Sequence, residues 1–157
     1  MPLPAPPTPL DRPGVEYVRA VLAGEDPHDP LLVLLGVRLT EVPEPGRVAL
    51  EARPRPEHLN FGGIVHGGYL SAVMDGAVGF ALHSTLAPNR VCPHVQASYR
   101  FLRAALAGQV LRVDAWALRS GRHLGHARVE VRDPEGLLLC SGESTHALMG
   151  AQPTDAG

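Results

Sequence analysis

Five residues in one short span carry groups suited to carbonyl chemistry: Asn60, then the run His66-Gly67-Gly68, then Asp75. The His-Gly-Gly run stands where a helical pattern begins, and the first N–H groups of a helix have no partner within it. Glycines there let a polarised carbonyl or an oxyanion come close to those N–H groups at the positive end of the helix dipole. Asn60 stands just upstream, and its amide can both donate and accept a hydrogen bond, whether to a ligand or as a turn or cap residue. Asp75 follows Gly67 by eight residues, about 12 Å along a helix axis at 1.5 Å per residue. That distance is too long for the two to share one substrate atom. A carboxylate on a helix face is ordinarily a solvated charge, but a second copy of the chain could bring its Asp75 to this chain's Gly67. A symmetric dimer would then build the same site twice.

The elements that must position these residues are legible from periodicity. Residues 66 to 84 follow the helical period, the only long stretch that does. Projected at 100° per residue, Leu70, Val73, Met74, Ala77, Phe80 and Ala81 gather on one face, a stripe expected to pack into a curved sheet. The opposite face holds Gly68, Ser71, Ala72, Asp75, Gly79 and His83, small residues around one carboxylate, which invites close approach by a ligand or another subunit. A shorter amphipathic helix is predicted from Gly14 to Gly24, with Val15, Val18 and Leu22 at helical spacing. Period-two alternation marks strands in residues 31–42, from Arg47, and in 91–103, 109–120 and 123–133. The Asp-Pro-Glu-Gly turn joins the last of these to a final strand. One long helix among six strands predicts an α+β architecture with antiparallel pairing.

At 157 residues the chain has the length of one domain. Its 45% hydrophobic and 19% charged residues exclude collagen-like, coiled-coil and wholly disordered classes. A formal charge of −2 offers no electrostatic footprint for nucleic acid. All 14 basic residues are Arg, so lysine Schiff-base and P-loop chemistry are excluded. Cys92 and Cys140 lack CxxC spacing, the first ten residues lack the pattern of a secretory leader, and no apolar run is long enough to span a membrane. A cytoplasmic protein with reduced thiols, bound neither to nucleic acid nor to a membrane, is the expectation. Six prolines among the first 13 residues predict a flexible N-terminal arm over 1–13, followed by a single domain over 14–150 and a frayed tail over 151–157.

The pattern of Asn60, five residues, His66-Gly67-Gly68, six residues and Asp75 resembles the motif of hot-dog-fold acyl-CoA thioesterases. Within them it is most similar to the phenylacetate-pathway branch, related to one 4-hydroxybenzoyl-CoA thioesterase type. The similarity runs from about Asp29 to Leu148 and includes GVRLTEV, SYRFLRAAL and RVEVRDPEGLLLCSG. The resemblance implies a long central helix wrapped by a curved antiparallel sheet, and a homodimer or homotetramer whose active sites are shared between chains. It further implies that the Gly67 N–H polarises the thioester carbonyl and that Asp75 of the neighbouring chain acts as general base or nucleophile. Asn60 and His66 would hold the thioester or the water and orient the loop, with Gly68 beside them in substrate binding.

The family pattern departs at one place. Where relatives carry Ser or Thr near the start of the first strand after the helix, this chain carries His94, placed either to contact substrate or water or as an ordinary strand histidine. The turn containing Ser120, Gly121 and Arg122 is a candidate for coenzyme A phosphates, or simply an exposed turn. Coenzyme A would enter as part of the substrate, and no metal or other cofactor is expected, since the histidines lack ligand spacing. Thioester hydrolysis suits this residue set, because a thiolate leaves readily and a carboxylate with a preorganised amide suffices. Two other readings stand beside it: a non-catalytic binder of acyl-CoA or an aromatic ligand, and an acyl-thioester hydratase or dehydratase. Tyr69, Phe61 and Phe101 could line an acyl pocket or belong to the core.

Overall fold

The computed structural model describes residues 10–150. The arm expected over 1–13 is therefore described only from Leu10 to Pro13, where Arg12 pairs with Asp26, and the tail over 151–157 lies outside the described residues. Helix α1 (Gly14–Ala23) closes on Gly24, whose φ of 76° lets its N–H turn back to the Ala20 and Val21 carbonyls. Helix α2 (Pro30–Leu34) corrects the sequence reading, which carried residues 31–42 as strand. Its cause is local: the Asp29 carboxylate accepts from the Leu31 and Leu32 N–H groups, and Pro30 fills the first helical position.

The chain then turns at Gly36 and runs β1 (Val37–Glu44) into β2 (Arg47–Ala52) as a bulged antiparallel hairpin. After the central helix α3 (Gly67–His83) come the short β3 (Arg90–Val91), then β4 (His94–Phe101), β5 (Leu111–Ser120), β6 (Leu124–Arg132), β7 (Leu138–Ala147) and β8 (Met149–Gly150). Six strands form one antiparallel sheet in the order β1-β2-β5-β6-β7-β4, while β3 pairs with β8. The sheet wraps α3, giving the expected α+β hot-dog arrangement.

All six residues of the projected helix stripe are buried, and Val78 and Leu82 join them because the curved sheet covers more than one narrow face. Opposite them lie the alternate inward residues of the strands, among them Leu111, Val113 and Ala115 of β5 and Ala127, Val129 and Val131 of β6. Each fully buried Val or Leu stabilises the fold by roughly 1.5–3 kcal/mol relative to exposure. Among the described residues, no helix is long and apolar enough to cross a membrane.

The strand β4 departs from this pattern. It lies at the sheet edge, and only Tyr99 of its eight residues is even half-buried; Val95 and Phe101 are exposed. An uncovered edge strand presents a row of unpaired N–H and C=O groups ready to pair with another strand.

Candidate active site

The loop before α3 is closed by Asn60. Its Oδ1 accepts from the Gly62 N–H at 2.8 Å and the Ile64 N–H at 3.4 Å, while its backbone N–H donates to the Ile64 carbonyl. The donors on both sides fix which amide atom is oxygen, so the acceptor of Asn60 is committed to the loop. Its Nδ2 has no hydrogen-bond partner among the described residues and is the group free to meet a ligand.

The next turn sorts the two glycine amides. His66 caps α3, and its Nδ1 accepts from the Gly68 N–H at 2.8 Å. A backbone N–H can only donate, so Nδ1 is unprotonated and the neutral ring carries its proton on Nε2. The Gly68 amide is thereby occupied, whereas the Gly67 N–H has no partner among the described residues. Gly67 lies against the Phe101 ring, at the floor of a cleft of about 280 Å³ lined by Asn60, Ile64, Leu70 and the 101–105 segment. Of the three aromatics singled out, Phe101 lines this cleft and Phe61 is fully exposed at the loop tip. Tyr69 belongs to the core, its hydroxyl donating to the Leu35 carbonyl and its ring stacking on His58.

Asp75 opens into a different cleft, of about 390 Å³, walled by α1, the Pro27–Pro30 segment and His94. No residue lines both clefts. Its side chain is 53% exposed and, among the described residues, meets one ionisable partner, His94 Nε2 at 3.3 Å. In a single chain, then, the free Gly67 amide and the Asp75 carboxylate face separate spaces two helical turns apart.

A bulge between His94 and Gln96 breaks the β4 register at the start of the strand. The His94 ring rests on His146, with centroids 3.8 Å apart. His146 is wholly buried, its Nδ1 2.8 Å from the Cys92 carbonyl and its Nε2 2.8 Å from Ser144 Oγ. The carbonyl accepts only, so Nδ1 carries the proton and the neutral Nε2 accepts from the Ser144 hydroxyl. Sequence reasoning missed this pair. The signal was the period-two alternation of β7, which turns Cys140, Gly142, Ser144 and His146 to the same inward face.

Burial lowers the pKa of His146 and of His83. A depressed folded value means the unfolded chain takes up protons that the native state refuses. This destabilisation is absent well above the unfolded imidazole value of about 6.5 and grows as pH falls through it toward the lowered folded values. Urea melts at pH 7.5 and pH 5.5 are expected to show lower stability at the acid end. The loss should be smaller in His146→Phe, and an equal loss would exclude His146 as a source.

Ser120, Gly121 and Arg122 form the β5–β6 turn beyond the other end of α3, beside Thr85. Ser120 and Thr85 hydroxyls are 2.8 Å apart, Gly121 N–H donates to the Leu124 carbonyl, and the Arg122 carbonyl accepts from Arg90. A helix of 17 residues is about 25 Å long, so one chain does not bring this turn to Gly67. Cys92 and Cys140 are free thiols, and burial raises the pKa of each to about 11, which leaves them inert as nucleophiles. Among the described residues, no group of three or more His, Cys, Asp or Glu could hold a metal ion.

Known proteins resemble this chain in sequence and fold. An Archaeoglobus fulgidus protein named "Putative esterase" is 27% identical over 118 residues, 75% of this chain and 74% of its own length. A phenylacetic acid degradation-related thioesterase structure from Ralstonia eutropha JMP134 superposes with a TM-score of 0.77 at 29% identity, covering 83% of this chain and 98% of that one. A Streptococcus pneumoniae TIGR4 protein named "Hypothetical Thioesterase Protein", its structure solved with coenzyme A, shares the fold, with a TM-score of 0.68 at 23% identity over 74% of this chain and 88% of its own. Residues 62–140, half of the chain, match the thioesterase superfamily profile. That span runs from the Asn60-closed loop through the free amide of Gly67, Asp75 and β4 into β7, and the chain belongs to the thioesterase superfamily, as a thioester hydrolase.

Proposed function

We propose that the protein hydrolyses an aromatic or medium-chain acyl-CoA to the free acid and coenzyme A, at sites shared between two chains. The observation that carries this reading is the separation of the free Gly67 amide from Asp75 into two clefts of one chain. The exposed β4 edge supports pairing of two protomers there, in a homodimer or as half of a homotetramer. Gly67 of one chain then polarises the thioester carbonyl. Asp75 of the other supplies the carboxylate that drives attack at the carbonyl carbon. The Asn60 Nδ2 donor and the His66 Nε2–H stand beside that amide to orient the thioester, and Gly68 keeps the cap in place. His94 lies at the carboxylate, on the acyl or water side.

Coenzyme A is the thiol half of the substrate, with no further cofactor. The exposed Arg122, with Ser120 and Gly121, offers its phosphates a cation and a turn. Free thiols suit the reducing cytoplasm. The relatives' names favour an aromatic acyl group, and the Phe101-lined cleft and the Phe80 and Tyr17 walls of the Asp75 cleft suit one.

The test is release of free thiol from matched aryl and alkyl acyl-CoAs. Turnover on at least one series is expected. Binding of acyl-CoA without any release would replace this reading with that of a ligand-binding protein.

A further inference from the structure

Resting on the thioesterase reading above, we propose that His94 is the residue that moves the proton in the reaction, that Asp75 orients and electrostatically supports it, and that buried His146 is the positioning residue beneath it. The geometry has three parts. His94 Nε2 is 3.3 Å from Asp75 Oδ1, a separation of the kind that tightens when substrate and a second chain exclude water. The Nδ1 atom of His94 makes no hydrogen bond among the described residues, so with its proton on Nε2 toward Asp75 the ring offers Nδ1 as an acceptor. The ring face is set by His146 at 3.8 Å, itself locked at both nitrogens by Ser144 and the Cys92 carbonyl.

That lock gives His146 a purpose beyond packing. A buried histidine with both nitrogens engaged cannot swing or change tautomer without breaking a hydrogen bond. The His94 ring therefore rests on a fixed and neutral surface. Burial opposes a charge on His146, so when His94 takes up a proton the cation beneath which it would be repelled is absent. Among the described residues, Asp75 is the negative side chain in contact with His94, and its charge opposes the one that forms as the thioester is attacked no more than it attracts the proton His94 takes up.

The step balances without any added reagent. His94 Nδ1 removes a proton from water as the water oxygen bonds to the thioester carbonyl carbon. The C–S bond then breaks, and the imidazolium returns its proton to the departing thiolate. The products are a carboxylic acid and a thiol, and the histidine is regenerated neutral.

The other ionisable groups around this ring are few. Asp75 and His83 face the cleft from α3, His28 and Asp29 from the segment before α2, and Tyr17 from α1. Cys92 lies beside it with a thiol that burial keeps protonated, and His146 lies below. Tyr99, further along β4, feels the Asp75 charge and is held protonated, its pKa raised to about 12 mainly by burial. Carboxylates and imidazoles ordinarily give up their protons two or more pH units apart, at about 4 and about 6.5, so the position of an acid limb in activity separates a carboxylate acting alone from an imidazole supported by one.

The experiment compares wild type, His94→Gln and His94→Ala in thiol release across pH. The amide of His94→Gln can still donate to Asp75 but cannot take up a proton. Expected are a kcat loss of about 10²-fold or more with KM little changed, and, in wild type only, an acid limb in the imidazole rather than the carboxylate range. The wild-type limb should be absent from the residual activity of His94→Gln. Should that variant not melt as wild type does, added imidazole should raise the rate of His94→Ala; no rise overturns the proposal. His94→Gln within threefold of wild type, with an unchanged limb, leaves Asp75 acting alone and overturns it while the thioesterase reading stands. Absence of thiol release by wild type removes both.

Discussion

Replacing Asp75 with Asn is expected to lower turnover by about 10²–10⁴-fold, the usual contribution of positioned proton-transfer machinery, of which this carboxylate and His94 together are part, while leaving the fold and the assembly as they are. The side chain is half exposed on the face of α3 away from the sheet, and His94 is its one ionisable partner among the described residues. Asn is nearly isosteric, keeps an oxygen toward His94 and removes no core contact. Surface substitutions of that kind usually change stability by no more than about 0.5 kcal/mol. Thiol release at saturating substrate, beside a thermal melt and a sizing column, separates the two effects. Turnover equal to that of wild type would remove Asp75 from the chemistry, and a collapsed melt would make it a structural residue.

The reason such a variant can be designed from so little is that α3 announces itself. Its buried stripe and its small-residue face are both written at a period of 3.6, and the sheet only widens the stripe by Val78 and Leu82. The alternating strands other than β4 were equally visible, because each has one face on the core. Two kinds of feature were not. Short-range capping overrode the apolar run at 31–34, where Asp29 and Pro30 start a helix that hydrophobic pattern alone reads as strand. Long-range placement was the second: nothing between residues 94 and 146 in the chain says that the two histidine rings meet, since that depends on β4 pairing with β7 across the sheet and on a bulge at the strand's first residues. The same holds for the division of labour between Gly67 and Gly68, which share a motif but differ once the His66 ring takes one of the two amides.

That division also supplies a direct test of the shared site. Gly67→Pro removes the Gly67 amide and should be well tolerated by the helix. Proline is favoured at the first helical position, where the N–H has no intrahelical partner. His66 before it already has φ −62° and ψ 137°, a conformation that proline permits in its predecessor. A Cβ at Gly67 would meet only the Phe101 ring, at ordinary contact distance of 3.7 Å. Loss of a carbonyl-polarising donor of this kind is expected to cost about 10²–10³-fold in turnover.

Alone, then, Gly67→Pro and Asp75→Asn are each nearly inactive. Refolded together, they should regain activity, because a mixed dimer contains one site that draws an intact Gly67 from one chain and an intact Asp75 from the other. Its second site carries both defects. Random mixing of equal amounts makes about half the dimers mixed, so about a quarter of the wild-type sites should be restored if the sites are shared as a two-fold dimer requires. If each chain instead used its own Gly67 and Asp75, every site in every mixture would carry a defect, and mixing would restore nothing. The gap between a quarter and under one hundredth of wild-type turnover is wide enough to read from a single refolding series, with each variant refolded separately as the baseline.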